Sequence, residues 1–153
     1  MVKKEMKKGL LLSLLIVFSC FIITGCFKKS DIKEENIEEE NTVVIKIDNQ
    51  EYTLLLEENE TVKSFCSLLP LELTMQELNE NEKYVYLEKN LPVDSHCPKK
   101  INKGDVMLYG NNCLVIFYKT FNTNYSYTKI GRIENLEEIG PDSIKVQIEK
   151  TNR

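Results

Sequence analysis

The chain is dominated by short runs in which apolar and polar residues alternate, which is the two-residue period of a half-buried β-strand. Every second residue from Thr42 to Asp48 is apolar, and the run from Glu51 to Glu57 repeats the pattern after a turn at Asn49-Gln50. These two runs predict a first β-hairpin. The run from Ile144 to Ile148 alternates in the same way and predicts a last strand.

The centre of the chain predicts a second hairpin. Two apolar runs, Val106 to Tyr109 and Leu114 to Tyr118, flank Gly110-Asn111-Asn112, and these three residue types tolerate the positive φ of a tight turn. The polar loop Thr120 to Asn124 follows. Aromatic and β-branched residues then return, so we expect a third strand over Tyr125 to Ile133.

Two segments have helical features. Thr61 stands at a predicted N-cap, and apolar residues between Val62 and Leu69 follow at the spacing of one helix face, before Pro70 ends the helix. The run from Leu136 to Ile139 is expected to form one or two helical turns before Gly140-Pro141 stops them.

Alternation also predicts strands at Leu71 to Met75 and Tyr84 to Leu87, whereas Glu88 to Lys103 shows neither period and is expected to be an exposed loop. The chain shows no βαβ rhythm and no internal repeat. We therefore predict a mainly β fold, a closed antiparallel β-barrel of about eight strands with two short helices, because closure removes exposed strand edges.

The amino terminus has the three zones of an export signal: basic residues, an apolar run of about fourteen residues from Leu10 to Ile23, and small residues. The apolar run is shorter than the roughly twenty residues of a membrane-spanning helix. The block Ile23-Thr24-Gly25-Cys26 resembles the lipobox of bacterial lipoproteins. This resemblance implies cleavage after Gly25 and a lipid on Cys26, and the alternative is an uncleaved anchor.

These features divide the chain into a lipoprotein signal peptide at residues 1–25, a lipidated tether at 26–41 and a folded domain at 42–153. The tether segment is highly charged and has few apolar residues, so it cannot bury enough surface to fold. The expected location is the extracytoplasmic face of the cell membrane, with the membrane as a partner through the lipid. The composition, rich in Lys, Glu, Asn and Ile, resembles that of proteins from low-GC Gram-positive bacteria.

Charge excludes one class of partner. Residues 26–153 carry 16 basic and 23 acidic side chains, a net charge of −7. Phosphate recognition needs clustered positive charge, so we expect no nucleic acid partner.

Three sequence blocks, SLLPLELTMQELNENEKYVYL, INKGDVMLYGNNCLVIFYKTF and NYSYTKIGRI, resemble a bacterial family of cyclophilin-like domain proteins. The resemblance spans Val43 to Glu149 and implies a closed barrel capped by two helices. It also suggests peptidyl-prolyl isomerase activity. Active cyclophilins, however, carry a Phe-His-Arg block and a Phe-Met-x-Gln block, and neither is present here. We therefore favour a non-catalytic module that binds a small molecule or an envelope peptide, with an isomerase or a structural envelope component as alternatives.

Aromatic residues form the first candidate site. Five of them gather around the loop Thr120 to Asn124, namely Phe117, Tyr118, Phe121, Tyr125 and Tyr127, and Met107 on the partner strand completes the candidate set. One interpretation is barrel core plus ordinary strand surface, and the other is a binding groove. Phe121, in a polar loop, is the residue that core packing explains least.

A polar block forms the second candidate site, Asn79, Asn81, Glu82 and Lys83. Such a block is usually a turn with solvated charges. If it faces the aromatic loop, it predicts a small polar ligand site.

Neither a metal nor another cofactor is expected. His96-Cys97 could in principle ligate a metal, but the chain has one histidine and a zinc site needs four ligands at recognisable spacings. We expect His96 and Cys97 to be exposed loop residues. Cys66 and Cys113 are expected to pack as small apolar side chains.

Overall fold

The computed structural model describes residues 41–151. The signal peptide, Cys26 and nearly all of the predicted tether lie outside this range, so those assignments stay predictions. Between residues 41 and 151, no helix is long and apolar enough to cross a membrane.

Ten strands and one helix make up this part of the chain. They are β1 (Thr42–Ile47), β2 (Gln50–Leu56), α1 (Glu60–Cys66), β3 (Leu71–Leu78), β4 (Glu82–Tyr86), β5 (Lys100–Ile101), β6 (Asp105–Tyr109), β7 (Cys113–Phe117), β8 (Phe121–Asn122), β9 (Thr128–Ile133) and β10 (Ile144–Lys150).

Eight of these strands close into a barrel in the order β1-β10-β3-β4-β7-β6-β9-β2, and all eight pairings are antiparallel. The mainly β fold and the closed eight-stranded barrel predicted from the sequence are therefore confirmed. Both predicted hairpins form, β1 with β2 and β6 with β7. Closure leaves none of the eight barrel strands with an unpaired edge.

The barrel interior is filled by the apolar residues of the alternating strands. Ile45 on β1 lies opposite Ile148 on β10 and Tyr52 on β2, and both isoleucines are fully buried. Val62 and Phe65 of α1 pack into the same cluster. The period-two pattern that predicted the strands is thus the pattern that fills the core.

The helical predictions need two corrections. The N-cap is Asn59, whose side-chain oxygen accepts a hydrogen bond of 2.8 Å from the Val62 amide, rather than Thr61. The Thr61 hydroxyl instead donates to the carbonyl of Pro92. The predicted second helix at Leu136 to Ile139 is wrong, because this segment has no helical hydrogen bonding and packs Leu136 against the core as an irregular connection.

The predicted loops also contain a small additional sheet. Lys100 pairs with Asn122 and Ile101 pairs with Phe121, which joins β5 to β8. His96 bridges to Tyr127 through two backbone hydrogen bonds of 2.9 Å. These backbone pairings hold the predicted loops at residues 88–103 and 120–124 against one side of the barrel.

Candidate functional site

Three neighbouring strands present a row of aromatic side chains on the outer face of the barrel. Across β4, β7 and β6, Tyr84 lies opposite Val115, and Tyr86 lies opposite Cys113, which in turn lies opposite Tyr109. Residues in register on adjacent strands share a face. The alternate residues of these strands, such as Val85, pack against the interior instead.

A second apolar cluster, separate from the barrel interior, lies beneath the β5–β8 loops. Its buried members are Ile101, Met107, Cys113, Val115, Phe117 and Tyr127, with Tyr84 and Phe121 packed against it. The Phe117 ring contacts the rings of Phe121 and Tyr127, at centroid distances of 5.7 and 5.4 Å, in edge-to-face geometry. Such pairs stabilise beyond the burial of area alone. The cluster therefore forms a packed layer of apolar and aromatic side chains on the outer face of the barrel.

Two open pockets lie over this cluster. The tyrosine pocket, of about 320 Å³, is lined by Leu78, Asn79, Glu82, Tyr84, Tyr86, Tyr109, Cys113, Val115, Tyr125 and Tyr127. The asparagine pocket, of about 610 Å³, is lined by Asn79, Asn81, Glu82, Phe121, Asn122, Thr123, Asn124, Tyr125 and Tyr127. Because the two pockets share four lining residues, we describe them together as the outer groove.

Glu82 lies where the two pockets meet, and it is only 9% exposed. Burial raises the pKa of its carboxyl group, the charge of Glu77 raises it further, and a hydrogen bond from Asn79 partly opposes the shift. The groove is thus built around a buried acidic side chain.

The groove lacks an activated nucleophile among the described residues that line it. Burial, followed by the nearby Glu82 charge, raises the pKa of the Cys113 thiol. The same two causes lead the rise in the pKa of the Tyr127 hydroxyl. Both groups stay protonated at neutral pH, and a protonated thiol is a poor nucleophile.

The structure brings most of the predicted candidates together. Phe121, Tyr125, Tyr127, Asn79, Asn81 and Glu82 all line the outer groove. Met107 and Phe117 are almost completely buried in the cluster beneath it. Three residues of the polar block, Asn79, Asn81 and Glu82, therefore line the same pocket as the aromatic loop.

Two residues are corrected. Tyr118 does not line the groove, because it packs against the barrel interior and its hydroxyl donates to Glu77 over 2.8 Å. Lys83 is not a solvated charge, because it is fully buried and donates to Glu77 over 2.5 Å and to the carbonyls of Gly140 and Asp142. Burial alone would raise the pKa of Glu77, but these two hydrogen-bond donors hold it below its ordinary value.

The structure places His96 and Cys97 in an exposed loop, as predicted. The His96 ring nitrogen Nε2 lies 3.0 Å from a carboxylate oxygen of Asp94. No group of three or more metal-ligating side chains is found within residues 41–151. Cys66, Cys97 and Cys113 are free thiols.

Sequence reasoning missed three tyrosines of the groove, Tyr84, Tyr86 and Tyr109. The alternation of β4 and β6 places them on the face opposite the core, which is a usable signal. The pairing of β4 with β7 that brings their strands together is not local in sequence, so periodicity alone could not show that they meet.

Three comparisons with known proteins were made, against family models, solved structures and curated proteins. The model of the cyclophilin-like family matches residues 45–149. The solution structure of a hypothetical protein from Archaeoglobus fulgidus has a TM-score of 0.49 and 22% identity, covering 72% of this chain and 94% of that one. No curated protein matches the chain. The family match spans more than half of the sequence, and the chain therefore belongs to the cyclophilin-like family.

Proposed function

We propose that the protein is a lipoprotein anchored at the extracytoplasmic face of the cell membrane, and that its barrel is a binding module without catalytic activity. The export signal and the Ile23-Thr24-Gly25-Cys26 block support the anchor. Each buried methylene contributes about 0.8 kcal/mol, so two acyl chains on Cys26 hold a protein stably in a bilayer. The domain then needs no membrane-binding surface of its own.

Metabolic labelling with a clickable fatty acid tests the anchor. The full-length protein should take up the label, and the Cys26→Ala variant should not. Cys97→Ala is the matched control, because Cys97 is an exposed thiol of the folded domain and its removal should leave labelling unchanged. Labelling that persists in Cys26→Ala contradicts the anchor.

The outer groove supports the binding role. Its two parts, of about 320 and 610 Å³, fall within the roughly 300–1,000 Å³ of small-molecule sites. Tyr86 and Tyr125 belong to the aromatic surface of the groove, and they are 67% and 65% exposed to solvent. Aromatic side chains left open to solvent as a patch are typical of interaction sites. This open aromatic surface around a buried carboxyl group is the observation that carries the proposal.

We infer that the ligand is a small organic molecule or an extended peptide of another envelope protein. Ligand-observed saturation-transfer NMR with a panel of fragments and short peptides tests this on the full-length protein in detergent micelles. Signals should weaken when Phe121→Ala and Tyr125→Ala are combined. Leu71→Ala is the control, because Leu71 lines a separate surface depression. A panel that gives no signal, or signals indifferent to the double variant, contradicts the proposal.

A further inference from the structure

Glu82 is the only charged residue among the described residues that line the outer groove. Asn79 hydrogen-bonds to its carboxyl group, but no lysine, arginine or histidine within residues 41–151 forms an ion pair with it. A buried carboxylate without a cationic partner is unfavourable. A ligand that carries a positive charge into the groove would remove this cost, whereas an anionic ligand would increase it.

The tyrosines around Glu82 have the arrangement that favours an organic cation. The rings of Tyr109 and Tyr125 meet at 89° with centroids 6.2 Å apart, and those of Tyr84 and Tyr86 meet at 82° with centroids 5.9 Å apart. Because the two rings of each pair are nearly perpendicular, they line the pocket with ring faces that point in different directions. The face of an aromatic ring is negative and attracts an ammonium group placed over it.

We propose that the tyrosine pocket binds an organic ammonium group, on a small molecule or a ligand side chain, with Glu82 supplying the counter-charge and the tyrosine rings enclosing the cation. The proposal rests on the proposed function, because it names the chemical class of the ligand that the outer groove takes. Charge complementarity carries the choice of occupant. A neutral ligand would gain contact with the rings but would leave the Glu82 carboxylate without a partner.

Choline and its neutral analogue test the proposal. In the analogue a carbon atom replaces the ammonium nitrogen, so shape is kept and charge is lost. Both probes are titrated against the full-length protein in maltoside micelles, which contain no ammonium headgroup, with saturation-transfer NMR as the readout. Choline should bind roughly tenfold more tightly than the analogue, since a desolvated cation–π and ion-pair contact contributes about that much.

Two variants and one control locate the effect. Glu82→Gln keeps the size of the side chain and should remove the ion-pair part of the roughly tenfold preference for choline, while binding of the neutral analogue stays unchanged. Tyr125→Ala should weaken choline roughly three- to fivefold, as expected for an exposed cation–π partner. Glu72→Gln removes a charge from an exposed position of β3 outside the groove and should change nothing.

Three outcomes overturn the inference. The first is that choline and its analogue bind equally well and that Tyr125→Ala abolishes the binding of both. In that case the groove would remain a binding site, but for neutral ligands. The second is choline binding that is unchanged in Glu82→Gln. The third is that choline does not bind at all. The proposed function itself fails only if the panel of fragments and peptides also gives no signal that depends on the groove residues.

Discussion

Glu82 and Lys83 are sequence neighbours of opposite charge, both almost completely buried, and their side chains lie on opposite sides of the barrel wall. Glu82 lines the outer groove, whereas Lys83 binds Glu77 and two backbone carbonyls inside. Alternation along β4 separates them, because successive residues of a strand point to opposite faces. One charge is therefore neutralised within the fold, and the other is left facing the groove.

Replacing Glu82 with glutamine should stabilise the domain at neutral pH. The folded-state pKa of Glu82 is raised above the ordinary value of 4.5, chiefly by burial. In the pH window between 4.5 and the raised folded-state pKa, the folded chain binds more protons than the unfolded chain. The free energy of unfolding therefore falls as the pH rises through that window. Glutamine removes this loss. The Tm of Glu82→Gln should exceed that of the wild type at pH 7, and the two should converge at pH values below 4.5.

The other titratable groups near Glu82, on either side of the barrel wall, do not obscure this test. Glu77 has a lowered pKa, because the hydrogen bonds from Lys83 and Tyr118 outweigh the effect of burial, and it stays ionised through the window. The pKa of Cys113 and of Tyr127 is raised, mainly by burial, and burial with the Glu77 hydrogen bond raises the pKa of Tyr118 to about 12. A Glu82→Gln variant less stable than the wild type at pH 7 would contradict the conclusion that the buried Glu82 carboxylate destabilises the domain.

Removing the buried lysine should be costly. Lys83→Met keeps most of the side-chain volume but removes the cationic partner of Glu77 and the lysine donor to the carbonyls of Gly140 and Asp142. Breaking a buried ion pair on one side costs about 3–5 kcal/mol. Chemical denaturation should show a loss of this size. Lys103→Met is the control, because its ion pair with Glu138 is on the surface and contributes about 0–1 kcal/mol. Equal losses for the two variants would contradict this account.

Gly131 is expected to tolerate no side chain. A Cβ atom at this position would collide with the backbone carbonyl oxygen of Leu55, on the neighbouring strand β2, and would lie 3.1 Å from Leu54 Cδ1. The two strands would have to separate, and overpacking of this kind costs about 1–3 kcal/mol. Gly140→Ala is the control, because a Cβ there meets nothing within 4 Å. Thermal unfolding that is unchanged in Gly131→Ala would contradict the packing.

The barrel was predictable from sequence in part because several of its strands bury one face, as in β1 and β10, where alternation and burial coincide. Shorter elements were not predictable. β5 and β8 have two residues each, which is too short for any period to appear. The four residues Leu136 to Ile139 fit a helical pattern, but a helix nucleus this short is unfavourable without tertiary support.

The candidate site was predictable only in part. The aromatic loop around Phe121 and Tyr125 stood out because apolar rings in a polar loop need a partner surface. Burial of Glu82 and Lys83 could not be predicted, because a charged turn is solvated unless distant strands cover it. The covering groups, such as Tyr127 and Gly140, are far away in sequence, so only the fold brings them together.

The domain is expected not to be an efficient prolyl isomerase. Lowering the roughly 18–20 kcal/mol barrier of an X–Pro bond needs a donor placed on the prolyl nitrogen, and arginine supplies it in cyclophilins. Among the described residues that line the outer groove there is no arginine. A protease-coupled peptide assay on the full-length protein should stay at the uncatalysed rate. Catalysis at the level of an active cyclophilin, lost in Arg132→Ala, would contradict this prediction.

The central claim, that the outer groove is the binding site, can be tested most directly by fluorine NMR of 3-fluorotyrosine-labelled protein. The chain has seven tyrosines, and five of them, Tyr84, Tyr86, Tyr109, Tyr125 and Tyr127, line the groove. Tyr52 and Tyr118 pack against the barrel interior and serve as internal controls. On titration with a ligand from the panel, the five groove resonances should shift while Tyr52 and Tyr118 stay in place. Shifts confined to Tyr52 or Tyr118, with the groove resonances unchanged, would contradict the claim.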